Sequence, residues 1–318
     1  MQFRKRWIIA IIAIVLVMAV YLVFNLVRGI SYYNRGIVYY VKGQYDQAIS
    51  EFTKSIEINP KHAKAYFNRG LAYAKKGLYD QAISDYDKAL EISPGDTKAY
   101  LSRGAIYCDV KGEYDLAILD FTKAIEIKPR YAEAYHNRGV AYKAKGRYDE
   151  AVSDYNKALA INPGHASAYL NLGAIYCDVK GEYDMAILFF KKAIEKNPGL
   201  ASAYHNRGVA YKAKGQYDEA ISDYSKAIEI KPEYANAYRN RGSLYYKKYM
   251  YDQAISDYSK ALEINPKDTA AYNNRGMAYY RKGEYDKAWE DVHKAQALGN
   301  QVRPGFLNDL REASGREK

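Results

Sequence analysis

"AKAYFNRGLAYAKKGLYDQAISDYDKALEISPGD", residues 63–96, holds two stretches with apolar residues at helical spacing, separated at Lys76 and Gly77 and closed by Pro94. Glycine tolerates the left-handed backbone of a tight turn, and proline cannot continue a helix. The stretch therefore predicts two antiparallel helices joined by a short turn. Its Gly70 belongs to a series, Gly36, Gly70, Gly104, Gly139, Gly173, Gly208, Gly242 and Gly276, spaced by 34 or 35 residues. A period of that size predicts stacked helical units, each covering the apolar face of the next.

In one register the chain divides into eight units, 29–62, 63–96, 97–131, 132–165, 166–200, 201–234, 235–268 and 269–302. A basic segment, 1–6, and an apolar segment, 7–27, precede them, and a tail, 303–318, follows. The units resemble tetratricopeptide repeats: an aromatic at unit position 4, Gly at 8, Tyr at 11, Ala at 20, an aromatic at 24, Ala at 27 and Pro at 32. In the second unit these are Tyr66, Gly70, Tyr73, Ala82, Tyr86, Ala89 and Pro94. The resemblance implies an all-α, right-handed α-solenoid of helix-turn-helix repeats. The small residues at 8 and 20 let the two helices approach, and the aromatics fill the space beside them.

The stretch "AYHNRGVAYKAKG" occurs at 134–146 and again at 203–215, and residues 97–165 match 166–234 at most positions. A two-unit duplication accounts for this, since a solenoid accepts whole added units. Tyrosine at positions 4, 11, 17 and often 24 accounts for most of the 36 tyrosines. These are expected in core and turn packing rather than as a stacking platform for bases.

Position 7 is Arg35, Arg69, Arg103, Arg138, Arg207, Arg241 and Arg275, and the same units carry an acid at position 23: Glu51, Asp85, Asp120, Asp154, Asp223, Asp257 and Asp291. The fifth unit has Leu172 and Phe189 instead, an apolar pair in place of an ionic one. Joint replacement predicts that the two positions touch, so the arginines are expected in structural ion pairs rather than on an anionic ligand.

Position 6 is Asn34, Asn68, Asn137, Asn171, Asn206, Asn240 and Asn274, with Ser102 in the third unit. The resemblance implies that positions 2, 5, 6, 9, 12 and 13 line a concave groove. There an amide, both donor and acceptor, suits the main chain of a bound peptide. Specificity would come from variable positions, including His136 and His205 at 5 and Lys143 and Lys212 at 12. The family's clamp for a terminal carboxylate needs Asn at position 9, which is apolar or small here.

Cys108 and Cys177 sit in equivalent places two units apart, so no disulfide between them is expected. The Cys and His residues lack metal-site spacing, and no nucleotide-binding, HExxH or nucleophile-elbow motif occurs, so neither metal, cofactor nor enzymatic activity is expected. In the tail, Phe306, Leu307 and Leu310 predict one apolar face of a capping helix. In the seventh unit Lys248 and Tyr249 replace the turn Lys-Gly, which predicts a distorted turn.

Residues 7–27 carry no charge and are long enough, at about 1.5 Å per residue, to span a hydrocarbon core. Val17, Met18 and Ala19 offer a signal-cleavage site, but the apolar run continues beyond them, which favours an uncleaved anchor. Arg4, Lys5 and Arg6 precede it and Arg28 follows, so the N-terminus is expected in the cytoplasm and the repeats on the extracytoplasmic side. The net charge of +11 is otherwise spread among acids, unlike a nucleic-acid footprint. The sequence thus reads as a membrane-anchored scaffold for a protein partner. Self-assembly, or service to an envelope assembly or secretion machine, are its alternatives.

Overall fold

The structure, a computed structural model, describes residues 2–299 and 301–316, with side chains described at Trp7 and from residue 11 onward. The basic side chains at 4–6, residue 300 in the eighth unit and residues 317–318 of the tail lie outside it. The described residues form α-helices, one π-helical turn and no strand. Two compact units divide the chain at Asn162 and Pro163.

The first unit holds α1 (Gln2–Val41), α2 (Tyr45–Ile58), α3 (Ala63–Lys75), α4 (Tyr79–Ile92), α5 (Thr97–Ile106), α6 (Tyr114–Ile127), α7 (Ala132–Ala144) and α8 (Tyr148–Ile161). The second holds α9 (Ala166–Asp178), α10 (Tyr183–Lys196), α11 (Ala201–Ala213), α12 (Tyr217–Ile230), α13 (Ala235–Lys247), α14 (Tyr251–Ile264), α15 (Thr269–Arg281), α16 (Tyr285–Ala297) and α17 (Pro304–Ser314). Odd-numbered helices up to α15 are the first helix of a repeat, helix A, and even-numbered ones are helix B. Within each unit every helix packs on the next.

Close packing explains the periodic glycine. A Cβ added at Gly70 would lie 2.7 Å from Tyr86 Cε1, so helix A can meet the ring only where it has no side chain. The ring itself is fully buried, as are Tyr155, Tyr224, Tyr258, Phe52, Phe121 and Phe190 at the same position.

The repeat turns follow one pattern, in which a backbone N–H reaches five residues back, as from Leu78 to the carbonyl of Tyr73 at 2.9 Å. The third and fifth repeats carry one extra residue. In the third it is absorbed as a π-helical turn, Tyr107–Lys111, and the closing bond runs six back, from Glu113 to Tyr107. The fifth closes the same way, from Glu182 to Tyr176.

The seventh turn is not distorted: Tyr249 adopts φ 62° and Met250 closes the same bond to Tyr245 at 2.9 Å. The ladder is kept, and the cost is carried as left-handed backbone on a side-chain-bearing residue. The tail does form a cap. Phe306 and Leu310 on α17 are buried against Trp289 and Val292, and Trp289 Nε1 donates to Ser314 Oγ at 3.0 Å.

α1 is one unbroken helix of 40 residues, about 60 Å at 1.5 Å per residue, so the apolar segment and the first helix of repeat one are continuous through Arg28. It contains one stretch long and apolar enough to cross a membrane, and its described apolar side chains before residue 28 are exposed.

Candidate binding groove

The position-7 arginines are structural. Arg69 Nε and Nη2 donate to the two carboxylate oxygens of Asp85, both at 2.8 Å. The same fork joins Arg103 to Asp120, Arg138 to Asp154, Arg207 to Asp223, Arg241 to Asp257 and Arg275 to Asp291. The remaining guanidinium nitrogen reaches the repeat before: Arg69 to Thr53, Arg138 to Thr122, Arg241 to Ser225 and Arg275 to Ser259, at 2.8–3.0 Å. Each of these four arginines therefore ties its own helices together and stitches two repeats. In the fifth repeat Leu172 is fully buried and Phe189 stacks on Tyr176, with ring centroids 5.2 Å apart.

Tyrosines at positions 4 and 11 flank these arginines, which packing alone did not anticipate. Arg69 lies 5.5 Å from the ring of Tyr66 and 5.9 Å from that of Tyr73, three residues before it and four after on the same helix. A second ladder also escaped the sequence reading. Lys76, Lys111, Lys145, Lys214, Lys248 and Lys282 each pair with an acid of the preceding repeat: Asp46, Asp80, Asp115, Asp184, Asp218 and Asp252. Arg316, after α17, takes the same part toward Asp286, so the cap imitates the helix A of a further repeat.

The asparagine series is less free than the sequence suggests. Asn68 Nδ2 donates to Tyr33 Oη of the repeat before and to the carbonyl of Lys64, both at 2.9 Å. Asn240 Nδ2 likewise contacts His205 Nε2 of the preceding repeat at 3.0 Å. Asn68 and Asn240 at position 6 thus hydrogen-bond position 5 of the repeat before, a relation between residues one period apart that periodicity alone does not reveal. Within repeats, the Nδ1 atoms of His136 and His205 meet the Oδ1 atoms of Asn137 and Asn206, at 3.2 and 3.1 Å. His205 is therefore held neutral, with Nδ1–H donating and Nε2 accepting, and burial lowers its pKa.

Asn34 is exposed on α1, whereas Asn137 on α7, Asn171 on α9 and Asn274 on α15 are half-buried. Lys143 is half-buried on α7; Lys212 is exposed on α11, its pKa lowered by partial desolvation and then by the cations of Arg239 and Lys247. Cys108 and Cys177, also at position 12, are free and buried, and burial pushes both thiols up to about 12. Among the described residues no group of three or more His, Cys, Asp or Glu is placed to hold a metal ion.

Helix pairs of fixed period, locked by arginine forks and closed by a cap, define a helical-repeat protein. Sequence-family comparison agrees. A model described as "TPR repeat" matches 111–146, 209–248 and 250–288, and models described as "Tetratricopeptide repeat" match 33–97, 132–165, 154–187 and 189–222. The chain belongs to the tetratricopeptide repeat family. Among solved structures, a tetratricopeptide repeat protein from Parabacteroides merdae ATCC 43184 is 22% identical with TM-score 0.57, covering 80% of this chain and 98% of that one. PilW, described as a widely conserved type IV pilus biogenesis factor, is 21% identical with TM-score 0.58, covering 66% and 96%. These two show the fold alone. MamA is 35% identical over 52% of this chain and 96% of its own, with TM-score 0.47. No curated protein matches the chain.

Proposed function

We propose that this protein is a membrane-anchored scaffold that binds an extended or helical segment of a partner protein along the helix-A faces of its repeats. The observation that carries this reading is the half-spent state of the position-6 amides. Among the described residues, Asn68 and Asn240 use their N–H groups between repeats while their Oδ1 atoms accept no hydrogen bond, and Asn206 accepts from His205 while its Nδ2 donates none. Such groups hold repeat to repeat with one atom and offer the other to a peptide main chain. Family membership supports a scaffold role by analogy, and the fold itself names no ligand.

The exposed apolar surface of α1 supports anchoring, and the charge bias of its flanks supports a cytoplasmic N-terminus with the repeats on the other side. Because α1 continues without a break into repeat one, the anchor fixes how that repeat stands above the membrane. A second reading, self-assembly, is favoured by one feature: Ile30, Val38 and Val41 stay exposed on the part of α1 that belongs to repeat one. A monodisperse monomer in detergent would set it aside.

The test is crosslinking capture from membranes, comparing wild type with a chain carrying Asn137→Ala, Asn171→Ala, Asn206→Ala and Asn240→Ala, its helicity checked by circular dichroism. Partners captured by wild type and lost from the folded variant support the groove. Partners captured equally by both contradict it.

A further inference from the structure

Residues of α13, α15 and the cap line a cavity of about 430 Å³, at the low end of the range for small-ligand pockets. Its apolar wall is Tyr246, Met277, Tyr280 and Phe306. Tyr246, Met277 and Tyr280 occupy groove positions 12, 9 and 12 of the last two repeats, and Phe306 comes from the cap, meeting Tyr280 edge-on with centroids 5.7 Å apart. The cap therefore does more than cover the eighth repeat. It turns the last stretch of helix-A surface into a cup.

The polar side of the cup is cationic. Elsewhere in these repeats arginine is matched with a carboxylate: Arg239 with Asp268, Arg241 with Asp257, Arg275 with Asp291 and, from the cap, Arg316 with Asp286. Among the described residues, the two arginines that line the cavity are not. Arg281 Nε donates to the hydroxyl of Tyr246, at 3.4 Å, with its guanidinium 5.9 Å from the centre of the Tyr280 ring, and Arg303 Nη2 reaches the sulfur of Met277, at 3.6 Å. Asp309 also lines the cavity, forms no ion pair among the described residues, and leaves the site with one positive charge in excess.

We infer that this cup binds an acidic residue together with a neighbouring aromatic or aliphatic side chain at one end of the partner's segment. The apolar side chain sits on the ring wall, where edge-on contacts to Tyr280 and Phe306 suit another ring, and the carboxylate is shared by the two guanidiniums. The inference rests on the groove reading and gives the chemistry of one end of its ligand. It also sets the direction of the segment, with its acidic anchor at the eighth repeat.

The probe is a fluorescein-labelled, C-terminally amidated hexapeptide, glycine-serine-glycine-serine-phenylalanine-glutamate, titrated by anisotropy against the full chain in detergent. Wild type is expected to bind it, and to bind the glutamine version about tenfold or more weakly. Arg281→Gln and Arg303→Gln, both at exposed positions that leave the helices intact, are expected to weaken the glutamate peptide by a similar factor each. No binding by wild type, or binding by either arginine variant as tight as by wild type, overturns the inference. Full displacement by excess inorganic phosphate at constant ionic strength also overturns it, by identifying an oxyanion site with no need of a peptide. The two readings fail separately: partner capture that ignores the asparagine changes removes the groove, whereas peptide binding that ignores the arginine changes removes the cup.

Discussion

The first repeat and the interior repeats carry the same arginine at position 7, yet the residue lives in two different environments. In repeat one the Arg35 side chain is 51% exposed and makes a single bond, Nε to Glu51 at 2.6 Å. In the other repeats that carry it, the side chain is 13–20% exposed and forked onto a buried Asp. The difference is the neighbour. A preceding repeat supplies the surface that excludes water and, for Arg69, Arg138, Arg241 and Arg275, the Thr or Ser that takes the third nitrogen, and repeat one follows an apolar segment instead. At the other end α17 stands in for a following repeat, so the two ends of the array are not equivalent.

That contrast predicts graded losses, measured as shifts in urea denaturation. Removing the acid from an interior fork leaves a guanidinium buried without its partner, so Asp154→Ala should cost about 3–5 kcal/mol. Glu51→Ala leaves an exposed arginine behind and should cost about 1 kcal/mol or less. Equal losses at the two sites would break the comparison. The covered end should next show itself as a cavity: Leu310→Ala, at a fully buried position, is expected to cost about 2–5 kcal/mol. Ile30→Ala on the uncovered face of repeat one should change stability by less than about 0.5 kcal/mol.

A smaller effect should be independent of neighbours. Tyr249 holds the left-handed backbone that glycine holds in the other short turns, so Tyr249→Gly is expected to stabilise the chain by about 0.5–1 kcal/mol. The smallest effect concerns the bond between repeats at His205. The folded form keeps the ring neutral because burial disfavours the cation and Nε2 accepts from Asn240, while the unfolded chain protonates near pH 6.5. Its folded pKa is depressed, so its contribution is present above about pH 6.5 and lost as pH falls. A pH series should show wild type losing slightly more stability than His205→Asn between pH 7 and 5, by a fraction of ~1 kcal/mol; parallel curves would remove the ring from that role.

Much of this was legible in the sequence, because an eightfold period lets positions within one chain be compared with one another. The arginine forks were readable from a single exception, Leu172 with Phe189, and the cap from the spacing of Phe306, Leu307 and Leu310. The bonds between repeats were not. Asn68 with Tyr33, Asn240 with His205 and the lysine ladder join residues some 30–35 apart whose pairing depends on how one helix pair is offset against the next. No residue swaps in step to betray them. The seventh turn was misread because a missing glycine was taken to change the backbone, whereas the surrounding helices hold the backbone and leave the strain on Tyr249.

The most direct test of the scaffold reading is site-specific photo-crosslinking in membranes. A benzoylphenylalanine at Lys143 or Lys212, both at groove position 12, is compared with one at Lys88 or Lys157, exposed on helices B. The account predicts a discrete crosslinked partner from the groove positions and none from the helix-B positions. The same partner captured from the helix-B positions, with the groove positions silent, would contradict it.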